Sequence, residues 1–165
     1  MKLRIFATLA AAAFVIAGIF IYFAKPLAPD VSFTTLQGER LDTASLRGKV
    51  VLVNFWATTC STCIEEMPDL VKTYEKFAAR GLETIAVAMD GDPEAQVRAY
   101  AEKAALPFKV ALDSNGEAAQ GFKGVRMTPT TFLIDRQGRI VHSYLGKPDF
   151  NALQALLEEL LAEPA

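Results

Sequence analysis

The sequence predicts an α/β domain with a mixed central β-sheet and helices on both sides, preceded by a hydrophobic segment that could cross a membrane. Two near-continuous apolar runs, 50–56 and 82–89, are typical of strands buried on both faces. An amphipathic helical pattern follows each of them, at 61–80 and 93–105. A hairpin around 136–138 then adds antiparallel strands, so the predicted sheet is mixed.

The N-terminal segment is the most hydrophobic part of the chain. From Ile5 to Ala24 there are 20 residues without a charge, which as a helix would extend about 30 Å, the hydrocarbon thickness of a bilayer. Lys2 and Arg4 precede it, so the positive-inside rule leaves the N-terminus in the cytoplasm and the domain outside. We expect a single N-terminal transmembrane helix.

A cleaved signal peptide is the alternative for this segment. Its hydrophobic region would normally span about 7–15 residues and end at an A-x-A site, and the run here is longer and lacks a good site. The sequence therefore favours an uncleaved signal anchor with a proline-containing linker over 1–29, and one domain over 30–165.

The rest of the domain reads as short elements separated by turns. Two strands flanking Gln37 and Gly38 predict an N-terminal hairpin, and Gly48 ends a helical turn. The remaining elements follow in order: a strand at 108–112, a short helix at 117–122, hairpin strands at 130–135 and 139–145, and a final helix at 151–162.

Charge limits the classes of partner. After Lys25 the chain has 14 lysines and arginines against 19 aspartates and glutamates, a net charge of −5. Such a surface argues against nucleic acid binding.

The only two cysteines, Cys60 and Cys63, form a C-x-x-C motif between the first buried strand and the first long helix. A helix that opens at Cys60 directs unpaired N–H groups and the positive end of its dipole at that sulfur, which favours the reactive thiolate. Cys63 lies inside the turn, so Cys60 is the expected accessible thiol. A purely structural disulfide would close too short a loop to add much stability, and a zinc site would need about four ligands.

Three stretches resemble one known family. Val-Asn-Phe-Trp-Ala before the cysteines, Glu-Glu-Met-Pro after them and Thr-Pro-Thr-Thr-Phe-Leu-Ile-Asp at 128–135 are similar to membrane-anchored, thioredoxin-like disulfide reductases of the TlpA/ResA type. The resemblance implies a thioredoxin-like fold. It also implies that Cys60 is the nucleophile and Cys63 the resolving thiol.

The resemblance assigns further site residues. It implies a cis peptide before Pro129, beside the cysteines, and backbone contacts from Thr128 to a substrate strand; a trans proline before an edge strand is the alternative. Glu66, three residues after Cys63, matches an active-site glutamate of the family and lies on the same side of the predicted helix. Trp56 adjoins the site, either as a substrate contact or as an aromatic residue in its wall.

Some positions depart from the family pattern. Thr59 and Thr62 stand where members often have tryptophan and proline, which leaves the redox potential open. Asn54 stands where thioredoxin itself has a buried aspartate, although asparagine is familiar in the TlpA/ResA branch. A proton acceptor must therefore come from elsewhere, and Glu66 is the candidate.

The leading hypothesis is an exported thiol–disulfide oxidoreductase that reduces protein disulfides, with no cofactor beyond the Cys60–Cys63 pair and no metal. The resemblance implies apocytochrome c or other exported cysteine proteins as substrates and a membrane thiol reductase as electron donor. It also implies an inner-membrane protein whose catalytic domain lies on the periplasmic or extracytoplasmic side. Two alternatives are a Cu(I)-handling module that uses the thiolates with Met127 and a thiol peroxidase. Neither is favoured, because no His-rich or Met-rich cluster accompanies the cysteines and Ala57 occupies the position of the peroxidase threonine.

Overall fold

The computed structural model describes residues 25–163 of the chain. The predicted anchor at 5–24 lies outside the described residues. Within 25–163 no helix has both the length and the apolar character needed to cross a membrane.

Residues 25–163 contain seven strands and four α-helices. The strands are β1 Ser32–Thr35, β2 Arg40–Asp42, β3 Val50–Trp56, β4 Leu82–Ala88, β5 Lys109–Leu112, β6 Thr130–Ile134 and β7 Ile140–Leu145. The helices are α1 Ser61–Phe77, α2 Glu94–Lys103, α3 Glu117–Gly121 and α4 Phe150–Ala162. Short 3₁₀ turns at Thr43–Leu46 and Ala78–Arg80 complete the regular structure.

All seven strands form one mixed sheet in the order β2-β1-β5-β4-β3-β6-β7. Strands β3, β4 and β5 are parallel, as expected for strands joined by crossover helices. β6 pairs antiparallel with β3 and with β7, and the β1–β2 hairpin joins the other side antiparallel to β5. The α/β class, the mixed sheet and the N-terminal hairpin are confirmed.

The central strand β3 has a core on each side. All seven of its residues are buried, which explains why the sequence shows a continuous apolar run rather than an alternation. Leu52 and Trp56 pack on the side of α1, α2 and α4. Val53 and Phe55 pack on the other side, against Phe122 at the end of α3. The central strand is therefore held rigidly where it reaches the cysteines.

The long helix α1 has the predicted position and amphipathic pattern. It begins one residue after Cys60 and buries Cys63, Glu66, Met67 and Leu70 among other residues. Its α-helical part ends at Phe77 and a 3₁₀ turn continues to Gly81, whose φ of +102° is the left-handed conformation that glycine adopts readily.

Residues 26–28, which the sequence assigns to the linker, lie along the start of β7. The Ile140 amide donates to the Pro26 carbonyl, and the Ala28 amide donates to the Gly138 carbonyl, both over 2.8 Å. Leu27 forms an isolated bridge with Arg139. The hydrogen-bonded structure of the domain therefore begins ahead of residue 30.

Candidate active site

The two cysteines lie where β3 meets α1. Strand β3 ends at Trp56, a turn closes with the Cys60 amide donating to the Ala57 carbonyl over 3.1 Å, and Cys60 becomes the N-cap of α1. The Cys60 sulfur accepts a hydrogen bond from the Cys63 amide over 3.2 Å. This sulfur therefore occupies the N-terminal end of the helix, where backbone N–H groups and the helix dipole stabilise negative charge.

Cys60 and Cys63 are joined in a disulfide, with their Cα atoms 5.2 Å apart. Cys60 is half-buried, whereas Cys63 has no exposed surface. The expected division into an accessible first cysteine and an enclosed second cysteine is thus present. Only Cys60 has surface that an incoming disulfide could reach.

The turn before β6 borders the disulfide on one side. The Thr128–Pro129 peptide is cis, as the resemblance implied, and the Thr128 carbonyl oxygen lies 3.5 Å from the Cys60 sulfur. The Gly146 amide donates to the Pro129 carbonyl over 2.8 Å, which holds this turn against the end of β7. Pro129 itself is buried and Thr128 is half-buried, so Thr128 presents backbone next to the reactive sulfur.

Trp56 lies in the wall of the site and not on its surface. Its side chain has no exposed area and packs against Tyr100, with ring centroids 5.3 Å apart. A buried indole cannot contact a substrate directly in this conformation. Of the two roles that the sequence leaves open for Trp56, substrate contact and wall aromatic, this burial favours the wall aromatic.

Glu66, three residues after Cys63 on α1, is buried, with 1% of its surface exposed. One of its oxygens, Oε1, accepts a hydrogen bond from the Asn54 side chain over 2.8 Å. The same Asn54 nitrogen donates to the Thr131 hydroxyl over 2.9 Å. Among the described residues, the other carboxyl oxygen of Glu66, Oε2, and the side-chain amide oxygen of Asn54, Oδ1, have no hydrogen-bonding partner. The carboxyl group is therefore buried with only part of its hydrogen-bonding capacity used.

The surroundings of Glu66 give it an unusual affinity for a proton. Burial raises the pKa of Glu66 to about 7, against smaller opposing effects from the Asn54 hydrogen bond and the positive charge of Lys147. Lys147 itself is held by an ion pair with Asp69, one turn along α1, over 2.9 Å. A carboxyl group that titrates near neutrality can both accept and release a proton under physiological conditions.

The sequence did not identify the partners of Glu66 or the contacts of the turn before Cys60. Asn54 was a detectable signal, because a single amide in an otherwise apolar buried strand needs a hydrogen-bonding partner. Asp92 also contacts the site, through two hydrogen bonds to Thr58. No local pattern links those two residues, since 34 positions separate them.

Metal ligands are not grouped at this site. In the part of the chain that the structure describes, no three histidine, cysteine, aspartate or glutamate side chains are close enough to hold an ion. Met127, the further Cu(I) ligand of the copper-handling alternative, lies on the cis-proline turn with 60% of its surface exposed.

Comparisons with known proteins agree with this arrangement. The model of the Redoxin family matches residues 24–157. The thiol–disulfide oxidoreductase ResA of Bacillus thuringiensis (strain Al Hakam) is 35% identical over 133 residues, which cover 81% of this chain and 76% of the relative. ResA of Geobacillus kaustophilus is 33% identical over 133 residues, covering 81% and 75%.

Solved structures show the same fold. A thiol:disulfide interchange protein of the thioredoxin family from Chlorobium tepidum aligns with a TM-score of 0.76 and 27% identity, covering 84% of this chain and 98% of the other. One from Bacteroides sp. aligns with a TM-score of 0.71 and 26% identity, covering 85% and 91%.

A thioredoxin-like fold with a disulfide at the start of α1 defines the class of thiol–disulfide oxidoreductases. The chain belongs to the Redoxin family, and within it to the oxidoreductases related to ResA. The resemblance read from the sequence is thereby confirmed.

The burial of the two sulfurs predicts how the reduced protein reacts. Alkylation at neutral pH should label Cys60 first, because only Cys60 is accessible and because the helix N-terminus favours its thiolate. Cys63→Ser should accumulate mixed disulfides with a peptide disulfide, and Cys60→Ser should not. Mass spectrometry of both variants checks this. Preferential labelling of Cys63 in the wild-type protein would contradict the assignment.

Proposed function

We propose that this oxidoreductase reduces disulfide bonds in exported proteins through the Cys60–Cys63 dithiol. The observation that supports it best is the position of the Cys60 sulfur. It is partly accessible, lies at the N-terminus of α1 and is 3.5 Å from the Thr128 carbonyl, while its partner Cys63 is enclosed. This geometry suits one attacking sulfur and one resolving sulfur.

The surface around Cys60 suits a polypeptide substrate. The Thr128 backbone adjoins the reactive sulfur, so an extended chain could pair with it as a further strand does at a sheet edge. Met127 and Leu145 are exposed apolar side chains beside the same turn, with 60% and 66% of their surface exposed. Leu145 is close to the turn because it pairs with Thr130 in the β6–β7 register. Exposed apolar side chains beside a polar backbone favour a segment of protein over a small polar disulfide.

The reaction balances as two exchanges. The Cys60 thiolate attacks one sulfur of the substrate disulfide, forms a mixed disulfide and releases the other substrate sulfur as a thiolate, which takes up a proton. Cys63 then loses its proton and attacks the Cys60 sulfur, which forms the Cys60–Cys63 disulfide and releases the second substrate sulfur as a thiolate, which also takes up a proton. Together with the proton that Cys60 lost when its thiolate formed, the enzyme dithiol loses two electrons and two protons, and the substrate gains them.

Electron flow toward the substrate requires a donor that restores the dithiol. We propose a membrane thiol reductase for this step, and apocytochrome c or other exported cysteine proteins as substrates. The support for both is the membership in the group related to ResA together with the sequence features of an exported protein.

The reduction potential tests the direction of electron flow. We expect equilibration with glutathione or dithiothreitol to place the Cys60–Cys63 couple in the reducing half of the range from about −270 mV for thioredoxin to about −120 mV for a strong oxidant. A Cys60→Ser, Cys63→Ser double variant provides the baseline. A value near −120 mV would mean that the protein oxidises its substrates instead.

We propose that Glu66 accepts the proton that Cys63 must lose before it resolves the mixed disulfide. Three residues apart on α1, Cys63 and Glu66 lie on the same side of the helix, within reach of direct or water-bridged transfer. Asn54 does not titrate, and its hydrogen bond orients the carboxyl group. The pKa of about 7 allows the carboxylate to form and to be protonated again in each cycle.

Glu66→Gln should slow resolution more than the initial attack. Below about pH 7 the wild-type carboxyl group is mostly protonated and cannot accept a proton, so the resolution rate should rise as pH increases through that value. In the glutamine variant this rise should disappear and mixed disulfide should accumulate. Stopped-flow reduction of a peptide disulfide from about pH 5 to 9 measures both steps.

Glu65→Gln is the matched control, because Glu65 adjoins Glu66 in α1 but is exposed. Its pH profile should remain that of the wild type. An unchanged profile for Glu66→Gln would remove Glu66 from the mechanism.

We also propose that the chain is held at the extracytoplasmic face of the inner membrane by its N-terminal segment. The support is the uncharged run from Ile5 to Ala24 and the positive charges that precede it. A membrane position would keep the site close to a membrane reductase.

Membrane attachment should survive washing of the full-length protein with carbonate or high salt, because about 20 apolar residues insert stably into a bilayer. A chain that begins at Lys25 retains the hydrogen bonds of Pro26 and Ala28 and should remain in the soluble fraction with its redox activity intact. Recovery of the full-length product as a soluble protein with a mature N-terminus between 25 and 29 would show cleavage instead.

A further inference from the structure

The turn that leads into Cys60 is fastened to the loop after β4 by a single carboxylate. The Thr58 amide donates to one Asp92 oxygen over 2.7 Å, and the Thr58 hydroxyl donates to the other over 2.5 Å. The same hydroxyl lies 3.3 Å from the Gln96 side-chain oxygen at the start of α2. Both Thr58 and Asp92 are half-buried, so water competes only partly for these bonds.

We call these two Thr58–Asp92 hydrogen bonds the clamp. Its contribution to holding Cys60 in place differs between the two redox states. In the disulfide state a covalent bond to the buried Cys63 holds the Cys60 sulfur at the helix N-terminus. Once that bond is reduced, two features on the N-terminal side of Cys60 restrain it: the turn closed by the Cys60 amide and the Ala57 carbonyl, and the Thr58–Asp92 clamp two residues earlier. Loss of the clamp should therefore loosen Cys60 mainly in the reduced protein.

We propose that Asp92 is a positioning residue for the redox couple: it fixes the turn at Thr58 so that the Cys60 sulfur stays at the N-terminus of α1 after reduction. The inference rests on the proposed role of Cys60 as the attacking sulfur. A Cys60 thiolate in this position receives the Cys63 amide hydrogen bond and the helix dipole. The clamp would thus stabilise the dithiol state relative to the disulfide.

The negative charge of Asp92 acts on the Cys60 thiolate in the opposite direction to its hydrogen bonds. The direction in which the glutathione equilibrium shifts therefore shows which of the two effects is larger. A carboxylate near Cys60 disfavours a second negative charge, so removing it would by itself favour the thiolate. The other charged residues on segments bordering Cys60 include Asp90 and Glu94 beside Asp92, Glu65 and Glu66 on α1, Arg126 ahead of the cis-proline turn, and Lys147 after β7, whose positive charge acts on Glu65 and Glu66. Thr58→Val removes the hydroxyl bond without changing any of these charges.

The experiment compares Thr58→Val, Asp92→Asn and the double variant with wild type in the full-length protein. Asp90→Asn is the charge-matched control, because Asp90 lies exposed in the same loop and forms no hydrogen bond to Thr58. Thr58→Ser is a further control, because it keeps the hydroxyl and should behave as the wild type. It serves as the reference if Thr58→Val disturbs folding. Three quantities are measured: the equilibrium with glutathione, the alkylation rate of Cys60 at pH 7, and stability to denaturant in each redox state.

We expect Thr58→Val and Asp92→Asn each to shift the glutathione equilibrium toward the disulfide by about three- to tenfold, the range that corresponds to the net contribution of one ordinary hydrogen bond. Alkylation of Cys60 should slow, and stability should fall more in the reduced than in the oxidised protein. The free-energy change for the double variant should be smaller than the sum of the changes for the two single variants, because both substitutions remove the same interaction.

Equal destabilisation of both redox states, with an unchanged glutathione equilibrium, would reduce the clamp to a structural contact and overturn the proposal. A shift toward the dithiol in both single variants would overturn it as well. The glutathione equilibrium does not depend on which proteins are substrates or on the direction of electron flow. Failure of the reductase proposal would therefore leave this result unaffected.

Discussion

The hydrogen bond from the Cys63 amide to the Cys60 sulfur depends on where α1 begins. The helix starts one residue beyond Cys60, so the sulfur becomes the cap of the helix instead of a side chain within its first turn. That position in turn requires β3 to end at Trp56 and the intervening residues to form a tight turn. β3 is buried on both faces in the centre of the sheet, so the position of its end is closely constrained by packing. The reactive sulfur lies four residues after that end, so its position is constrained as well.

Glu66, three residues after Cys63 on α1, lies in surroundings that disfavour its charge, whereas those of the Cys60 sulfur favour negative charge. Burial of a carboxyl group disfavours its ionised form, and Asn54 supplies one hydrogen bond without supplying a charge. A buried aliphatic residue at this position would avoid both the desolvation of Glu66 and the unpartnered oxygen. The fold accepts this cost at a position one helical turn from Cys63, where the proposed proton transfer would take place. The proposed role of Glu66 would explain why a residue that lowers stability stands at this position.

The elements of the fold were predictable from the sequence because their signals are local. The apolar run of β3, the three- and four-residue spacing of α1 and the positive-φ glycine that ends it are each contained in fewer than about 20 residues. The cysteines and the cis-proline segment were predictable for a different reason: their motifs match a family. Trp56 was considered only because it adjoins the cysteines in sequence, and that proximity does not show on which face of β3 its side chain lies.

The remaining contacts of the site could not be read from the sequence, because each joins residues that are distant along the chain. Asn54 meets Thr131 across 77 positions, and the Cys60 sulfur meets the Thr128 carbonyl across 68. Such pairs depend on the strand order, in which β6 is inserted beside β3 although it follows β4 and β5 in the chain. An isolated polar residue in an apolar strand can be recognised as needing a partner, but only the register of β3 against β6 identifies it: Asn54 lies opposite Thr131.

The two sulfurs are therefore controlled by separate parts of the same junction. Cys60 is governed by backbone, through the helix N-terminus, the Thr128 carbonyl and the turn that Asp92 holds. Cys63 is governed by burial and by its spacing from Glu66 on one face of α1. Because Glu66, with a pKa of about 7, belongs only to the second set, the proposed mechanism lets attack and resolution respond differently to pH although both sulfurs belong to one helical turn. A substitution in one set can then alter one step and leave the other nearly unchanged.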